Sequence, residues 1–237
     1  MRILALETSA KACSAAVTED GRLVASAFQC TALTHSCTLM PMVEDMLRNA
    51  SLTLQSCDAV AVANGPGSFT GIRIGVAAAK GLAFGADKPI VGVSTLEAMA
   101  RCAACMDGLI VCAMDARRQQ VYNAVFEADG GRLTRLTPDR AIGLAELGEE
   151  LKKTEKRKII VGDGAHLCYT YCLENCIPCV QAPPHLVQQS AVGVALAAED
   201  AALAGQLLPA QELLPVYLRP SQAERLHAQK NMKEQSK

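Results

Sequence analysis

Three short segments carry residue types that can act on a phosphate group or a metal ion. Glu7-Thr8-Ser9 sets a carboxylate and two hydroxyls in succession where an apolar run ends. In a nucleotide site that carboxylate would hold a metal ion or its waters, and the hydroxyls and amides of Thr8 and Ser9 would meet phosphate. The same triplet also suits a turn closed by side-chain to backbone hydrogen bonds, the stronger reading for three short residues taken alone. Asp115 raises the functional reading, because it ends a second apolar run 108 positions after Glu7. Two carboxylates facing each other across a cleft suit metal-assisted phosphate chemistry, and equally suit geometry inherited after the activity was lost.

The second segment is Gly65-Pro66-Gly67-Ser68-Phe69-Thr70-Gly71-Ile72-Arg73-Ile74-Gly75. It follows an apolar strand and opens a helix that Ser68 or Thr70 can cap. Such a loop leaves backbone N–H groups pointing outward, so the favoured reading is a phosphate or partner-contact loop. The competing reading is a tight turn in which the glycines serve close packing. Arg73 falls in the first helical turn, where the dipole disfavours a cation unless an anion or acidic partner is near. The Gly-Lys-Ser/Thr ending of a Walker A loop is missing.

The third is Thr34-His35-Ser36-Cys37-Thr38-Leu39-Met40-Pro41. A metal-binding helix would repeat His three or four residues on, where Thr38 and Leu39 stand, so His35 reads as a capping or interface residue. The spacing specifies no metal ligand set and no Ser-His-Asp or Cys-His arrangement, and so no catalytic residue.

The elements that position these segments form a repeat. Residues 3–6 are a short apolar strand; Cys13 to Thr18 leads through Glu19-Asp20-Gly21-Arg22 into Leu23 to Phe28, a hairpin. Later, 109–114 ends at Asp115, and Val121 to Phe126 leads through Asp129-Gly130-Gly131 into Arg132-Leu133. At the single offset of 108, Glu7 meets Asp115, Ala16-Val17 meets Ala124-Val125, and Glu19 meets Glu127; two residues inserted in the turn then bring Arg22 to Arg132. Each half has a further strand running into glycines, 58–63 into Gly65 and 159–161 into Gly162-Asp163-Gly164. Helical patterns fill 37–49, 72–84, 95–105, 144–153 and 191–203. Strands alternating with helices predict an α/β protein with mixed sheets in two similar lobes, residues 1–100 and 101–220, followed by a polar tail over 221–237 that frays.

Bulk properties narrow the function classes. Among the 237 residues, 50% are hydrophobic and 20% charged, with a net charge of −1 and no Trp. That balance argues against binding nucleic acid alone, and the run from Lys152 to Lys158 reads as a solvated helix end. No signal peptide or membrane-length apolar stretch is present, so a cytoplasmic protein is expected. The eleven cysteines are then reduced thiols. The pairs Cys102/Cys105 and Cys176/Cys179 hint at zinc, but about seventy residues separate them, far beyond common zinc spacing. Cys168, Cys172 and Cys176 recur every four residues, as one packed helix face would.

Leu4 to Ser9, His35-Ser36 with Leu39 and Pro41, Gly65 to Gly75, Asp115 to Arg118 with Val121-Tyr122, Val161 to Ala165, and Pro215 to Arg219 resemble the TsaB family from residue 3 to about 225. The Gly-Pro-Gly-Ser-Phe-Thr-Gly stretch is the most specific of these. The resemblance implies the actin-like ATPase fold (the ASKHA superfamily), with two ribonuclease-H-like lobes, as in actin, Hsp70 and sugar kinases. It implies a non-catalytic dimerisation or scaffold subunit for N6-threonylcarbamoylation of the adenosine 3′ of the anticodon, in tRNAs reading codons that begin with A. The partners implied are a TsaD-like paralogue that performs the transfer and a TsaE-like ATPase, with tRNA met only through the complex. In that paralogue a His-x-x-x-His pair and an Asp hold the metal; here Leu39 stands in place of the second His.

The resemblance places the partner surface on the first lobe, in the helices after His35 and after the glycine loop. It assigns that surface to His35, Leu39, Met42, Met46, Ile72, Arg73, Val76, Ala79 and Ala83, some of which must also be core. Thr8, Ser9 and Asp115 remain the residues for a nucleotide, one that this chain does not require. Whether the isolated chain is a monomer or a homodimer stays open. The alternatives are a small-molecule kinase or ATPase using the Glu7/Asp115 cleft, and a metallopeptidase, which the missing second His disfavours.

Overall fold

The computed structural model describes residues 1–219, so the expectation of a fraying tail lies outside the described residues. The first sheet is built from β1 (Arg2–Glu7), β2 (Cys13–Glu19), β3 (Arg22–Gln29), β4 (Ala59–Gly65) and β5 (Ile90–Ser94), in the spatial order β3-β2-β1-β4-β5. Between these strands run α1 (His35–Asn49) and α2 (Phe69–Gly85), and α3 (Thr95–Cys102) follows β5. The second sheet uses β6 (Gly108–Asp115), β7 (Gln120–Asp129), β8 (Arg132–Arg135), β10 (Lys158–Val161) and β11 (Val180–Gln181), in the order β11-β10-β6-β7-β8. The extra strand β9 (Arg140–Gly143) pairs with β7; α4 (Leu144–Lys152), α5 (Ala165–Glu174), α6 (Pro184–Val187) and α7 (Ala191–Leu203) complete the chain order. In each sheet three antiparallel strands are extended by two parallel ones, so the repeat read from the sequence is a repeat of topology.

The helices sandwich the sheets in layers. Leu4, Leu6, Val60 and Val62 pack against Leu39, Val43 and Met46 of α1 and Ile72, Val76 and Ala79 of α2. On the other face, Ile3, Ala5, Ala61 and Val91 meet Ala191, Val194, Ala195 and Ala198 of α7. Leu96, Met99 and Ala100 of α3 pack on Ile110, Cys112, Met114, Ala124 and Phe126 of the second sheet, and α4 and α5 cover that sheet's far face. Thus α3 and α7 form the middle layer, touching each other and one sheet apiece. A division at residue 100 would give α7 to the second lobe, yet it packs on the first sheet. The chain after it also returns there: Leu208 bridges Ile90, and Leu213 joins the core under α1 and α2. Alanine dominates α7 because a sheet and α3 both press on it, and Gly193 lets the Ala98 carbonyl approach; an added Cβ would lie 2.0 Å from that oxygen.

Two details of the repeat differ from the sequence reading. Both hairpins turn through two residues with positive φ, Asp20-Gly21 and Gly130-Gly131, so the extra length lies in β7 (10 residues against 7 in β2), not in the turn. The pairing is also one residue out. Ala5 stands opposite Ala16, but Ala113 stands opposite Asn123 rather than Ala124. Faces follow register, so Leu4 and Leu6, which face α1 and α2, correspond by layer to Val111 and Ala113 rather than to Cys112 and Met114.

Candidate functional site

The two lobes meet around a cavity of about 550 Å³. Its wall includes Ser9 and Lys11 after β1, Gly67 to Phe69 before α2, Asp115 to Arg117 after β6, Asp163, and Val216 to Arg219. Strand ends and helix starts collect here because both sheets direct the C-terminal ends of β1, β4, β6 and β10 to one edge, the usual crevice of an α/β sheet.

Glu7 sits beneath this cavity. It is fully buried, and its Oε1 accepts from the Ser9 amide at 2.5 Å while Oε2 has no partner. Burial pushes its carboxyl from 4.5 up to about 7; the bond from Ser9 opposes that rise and the nearby Asp163 charge adds to it. Burial likewise raises Asp163, held back by a 3.0 Å bond from the Gln189 side-chain amide. Asp115 repeats the local geometry of Glu7: its Oδ1 accepts from the amide two residues on, Arg117, at 2.7 Å. The turn beyond it, Arg117-Arg118-Gln119, holds three successive non-glycine residues at positive φ.

The nucleotide assignment is corrected by where the donors go. The Thr8 hydroxyl donates to the Gly71 carbonyl at 2.8 Å, and the Ser9 amide is taken by Glu7. The Ser9 carbonyl accepts from the Ser68 amide at 2.7 Å, which turns the glycine loop onto this segment instead of toward a ligand. The Thr8 hydroxyl and the Ser9 amide are thus engaged within the chain, while the buried Ser9 hydroxyl has no partner. Ser9 and Asp115 do line the cavity, whereas Thr8 lies outside its wall.

The glycine loop follows the packing reading. A Cβ at Gly67 would lie 2.5 Å from the Ser9 carbonyl oxygen, at Gly71 2.1 Å from that of Thr8, and at Gly75 2.3 Å from the Thr8 hydroxyl. At Gly65, with φ +135°, it would lie 2.1 Å from the Val216 carbonyl oxygen. The glycines therefore let three chain segments meet. Ser68 caps α2 as expected, accepting from the Gly71 amide. Among the described residues Arg73 finds no anion: its guanidinium lies 3.8 Å over the Phe69 ring and its Nε donates to the Tyr217 hydroxyl at 2.9 Å.

The expected partner surface is corrected as well. Leu39, Met46, Ile72, Val76, Ala79 and Ala83 are buried in the first lobe and offer no area to another chain. Periodicity had marked the face of each helix that packs on its own sheet. Met42 is half-buried, and Arg73 is exposed. His35 is half-buried and ties α1 to the loop after β1, its Nε2 lying 2.8 Å from the Ala10 carbonyl oxygen. Cys176 lies past the end of α5, so only Cys168 and Cys172 share the packed face. Among the described residues no three His, Cys, Asp or Glu side chains come together to hold a metal, and no helix is long and apolar enough to cross a membrane.

The sequence reading marked Pro215 to Arg219 by family resemblance alone and assigned the segment 213–219 no structural role. Here it straps the lobes: the Val216 amide donates to Asn64, Lys80 donates to the Gln211 and Leu213 carbonyls, and Arg219 donates to the Ala116 carbonyl of the second lobe at 2.8 Å. Lys11, Asp163 and Gln189 were also missed. For Asp163 the signal was present, a carboxylate between two glycines after a strand.

Comparison with known proteins accords with this architecture. The TsaD family, described as tRNA N6-adenosine threonylcarbamoyltransferase, matches residues 29–202. The tRNA threonylcarbamoyladenosine biosynthesis protein TsaB of Bacillus subtilis is 36% identical over 167 residues, 70% of this chain and 73% of that protein. Its namesake in Escherichia coli is 38% identical over 167 residues, 69% and 72% of the two chains. The solved structure of YeaZ from Pseudomonas aeruginosa superposes with a TM-score of 0.77 at 29% identity, over 92% of this chain and 99% of that one. With two lobes of matching topology and relatives at this level, the chain belongs to the TsaB family and has the actin-like fold.

Proposed function

We propose that this chain is the non-catalytic subunit of an assembly that threonylcarbamoylates N6 of the adenosine 3′ of the anticodon in tRNAs reading codons that begin with A. A TsaD-like paralogue carries out the transfer, a TsaE-like ATPase joins them, and tRNA is met only through the complex, in the cytoplasm. The pathway rests on the name shared by relatives 36% and 38% identical to it. The passive role rests on one observation. Where the transferase has its second metal-binding His, this chain has Leu39, whose side chain is 1% exposed in the core under α1. The Thr8 hydroxyl and the Ser9 amide, both engaged within the chain, point the same way.

Reconstitution tests the proposal. Purified chain, paralogue and ATPase are combined with unmodified tRNA, ATP and threonylcarbamoyl-adenylate, and the modified nucleoside is quantified. Modification is expected only with the paralogue present, and turnover is expected to fall at least about tenfold when this chain is omitted, a loss of about 1.4 kcal/mol in transition-state stabilisation. Transfer by this chain alone, or full turnover without it, would overturn the assignment.

A further inference from the structure

We propose that Cys172 and Cys179 are an oxidation site: a hydroperoxide joins them in a disulfide that fastens the end of α5 to the start of β11, and a dithiol reductant reopens it. Spacing in the sequence set Cys172 with Cys168 and Cys179 with Cys176; the fold sets Cys172 against Cys179. Cys168 and Cys172 lie on the buried face of α5, and Cys179 packs against the same cluster. Beyond α5 the chain doubles back through Cys176, at a φ of +55°, and the Ile177 amide donates to the Cys172 carbonyl at 2.8 Å. Cys179 follows two residues later, immediately before β11, and there the Cys172 thiol donates to its sulfur. Cys168, one turn deeper, meets Cys179 only as a charge.

Environment divides the roles. Cys172 is 1% exposed and Cys179 half-buried, so a peroxide arriving from solution meets Cys179. Burial raises the Cys179 thiol, while the bond from Cys172 and the Lys158 ammonium favour its thiolate. Lys158 is itself buried and held in place, its Nζ donating to the Thr154 and Lys156 carbonyls at 2.6 and 3.3 Å.

The Cys179 thiolate attacks one peroxide oxygen: an S–O bond forms, the O–O bond breaks, and the departing oxygen takes a proton and leaves as water or an alcohol. Sulfur gives up two electrons to the peroxide, and Cys179 becomes a sulfenic acid. Burial holds the Cys172 proton, as do the negative charge of Cys179 and the bond to it; oxidation of Cys179 removes the last two. Cys172 then attacks the Cys179 sulfur. The S–S bond forms, the S–O bond breaks, and hydroxide leaves as water with the Cys172 proton. Reagents in solution do not reach Cys172, but this electrophile arises in contact with it. A dithiol restores both thiols by exchange and is itself oxidised to a disulfide. The bond closes a short loop at the edge of the second sheet. There β11 has only two residues and pairs with β10 alone among the described strands, so a crosslink beside it should slow its opening.

The test treats the reduced full chain with equimolar hydrogen peroxide, alkylates the remaining thiols, and cleaves with a glutamate-specific protease. Cleavage after Glu174 puts Cys172 and Cys179 on separate peptides. These should stay joined until a reductant is added, and tandem mass spectrometry should place the bond between Cys172 and Cys179. This map is made on the wild-type chain and needs no variant to fold. Cys172→Ala should abolish the crosslink and leave Cys179 as a sulfenic acid that dimedone traps, whereas Cys176→Ser should leave the crosslink intact. Amides of Val180 to Ala182 should exchange at least about tenfold more slowly in the oxidised protein than in the reduced one. Peptides that separate without reductant, a bond from Cys179 to Cys168 or Cys176, or unchanged exchange over Val180 to Ala182 would each overturn the proposal.

Discussion

Replacing Glu7 by Gln should make the protein more stable at neutral and alkaline pH, although it removes a carboxylate from the heart of the interlobe region. Glu7 is fully buried, receives one short bond from the Ser9 amide, and has Asp163 as its charged neighbour. In the unfolded chain it ionises near 4.5; in the folded protein burial delays that to about 7. The raised value means that the folded state binds the extra proton in the interval between them. The contribution of Glu7 to stability is therefore fully present below 4.5 and is lost as the pH rises through about 7. That interval corresponds to about 3 kcal/mol once both states are ionised.

Gln keeps an acceptor for the Ser9 amide and never ionises, so the variant should not show this loss. Urea unfolding followed by circular dichroism, at several pH values across the interval, measures it. Wild type and Glu7→Gln should lie within about 1 kcal/mol of each other at the acid end. They should separate to about 3 kcal/mol in favour of the variant at the alkaline end. An unchanged urea dependence would show that the two unfold from the same native state. Since the Asp163 charge contributes to the shift, Asp163→Asn should move the wild-type transition toward lower pH. Parallel stability curves for wild type and Glu7→Gln would refute the reasoning, because a carboxylate that ionises alike in both states leaves nothing for Gln to remove.

Other consequences can be measured with the same unfolding assay or with thiol reagents. Gly71→Ala, whose Cβ would lie 2.1 Å from the Thr8 carbonyl oxygen, should cost about 3 kcal/mol by prising α2 off the Thr8–Ser9 segment. Gly81→Ala, with nothing within 4 Å, should stabilise the same helix by up to about 1 kcal/mol. Arg140→Ala should cost about 2 kcal/mol, because it strips the buried Asn123 oxygen of bonds at 3.1 and 3.2 Å and leaves Glu150 without its guanidinium. Arg140→Lys should not restore this, since an ammonium cannot reproduce the two-sided fork. Native protein should show four fast-reacting thiols, Cys30, Cys37, Cys105 and Cys176. Cys168 and Cys172, pushed up to about 12 by burial, should react only on unfolding.

What the sequence disclosed about this molecule depended on how local the determining forces were. The Asp20-Gly21 hairpin, the Ser68 cap and the extent of α7 rest on neighbours within a few residues, and each was legible. So was the carboxylate closing each first strand, because the bond from the Ser9 amide to Glu7 and that from the Arg117 amide to Asp115 span two residues. Burial direction was less legible. Leu39, Met46, Ile72 and Val76 form apolar stripes whichever surface they meet, and only the sheet beneath decides that they are core. The strap over 213–219 was invisible for a stronger reason: its partners, Asn64, Arg73, Lys80 and Ala116, lie roughly 100 or more residues away in sequence. The hairpin register shows where the boundary falls. One offset shared by the carboxylate and the first strand of the hairpin suggested a rigid repeat, but these strands pair through contacts that the turn chemistry does not fix once β7 has lengthened. An offset read from residue identities places such a repeat to within one position, and one position separates the two faces of a sheet. That is why Cys112 and Met114, aligned by sequence with Leu4 and Leu6, face α3 instead of the outer helices.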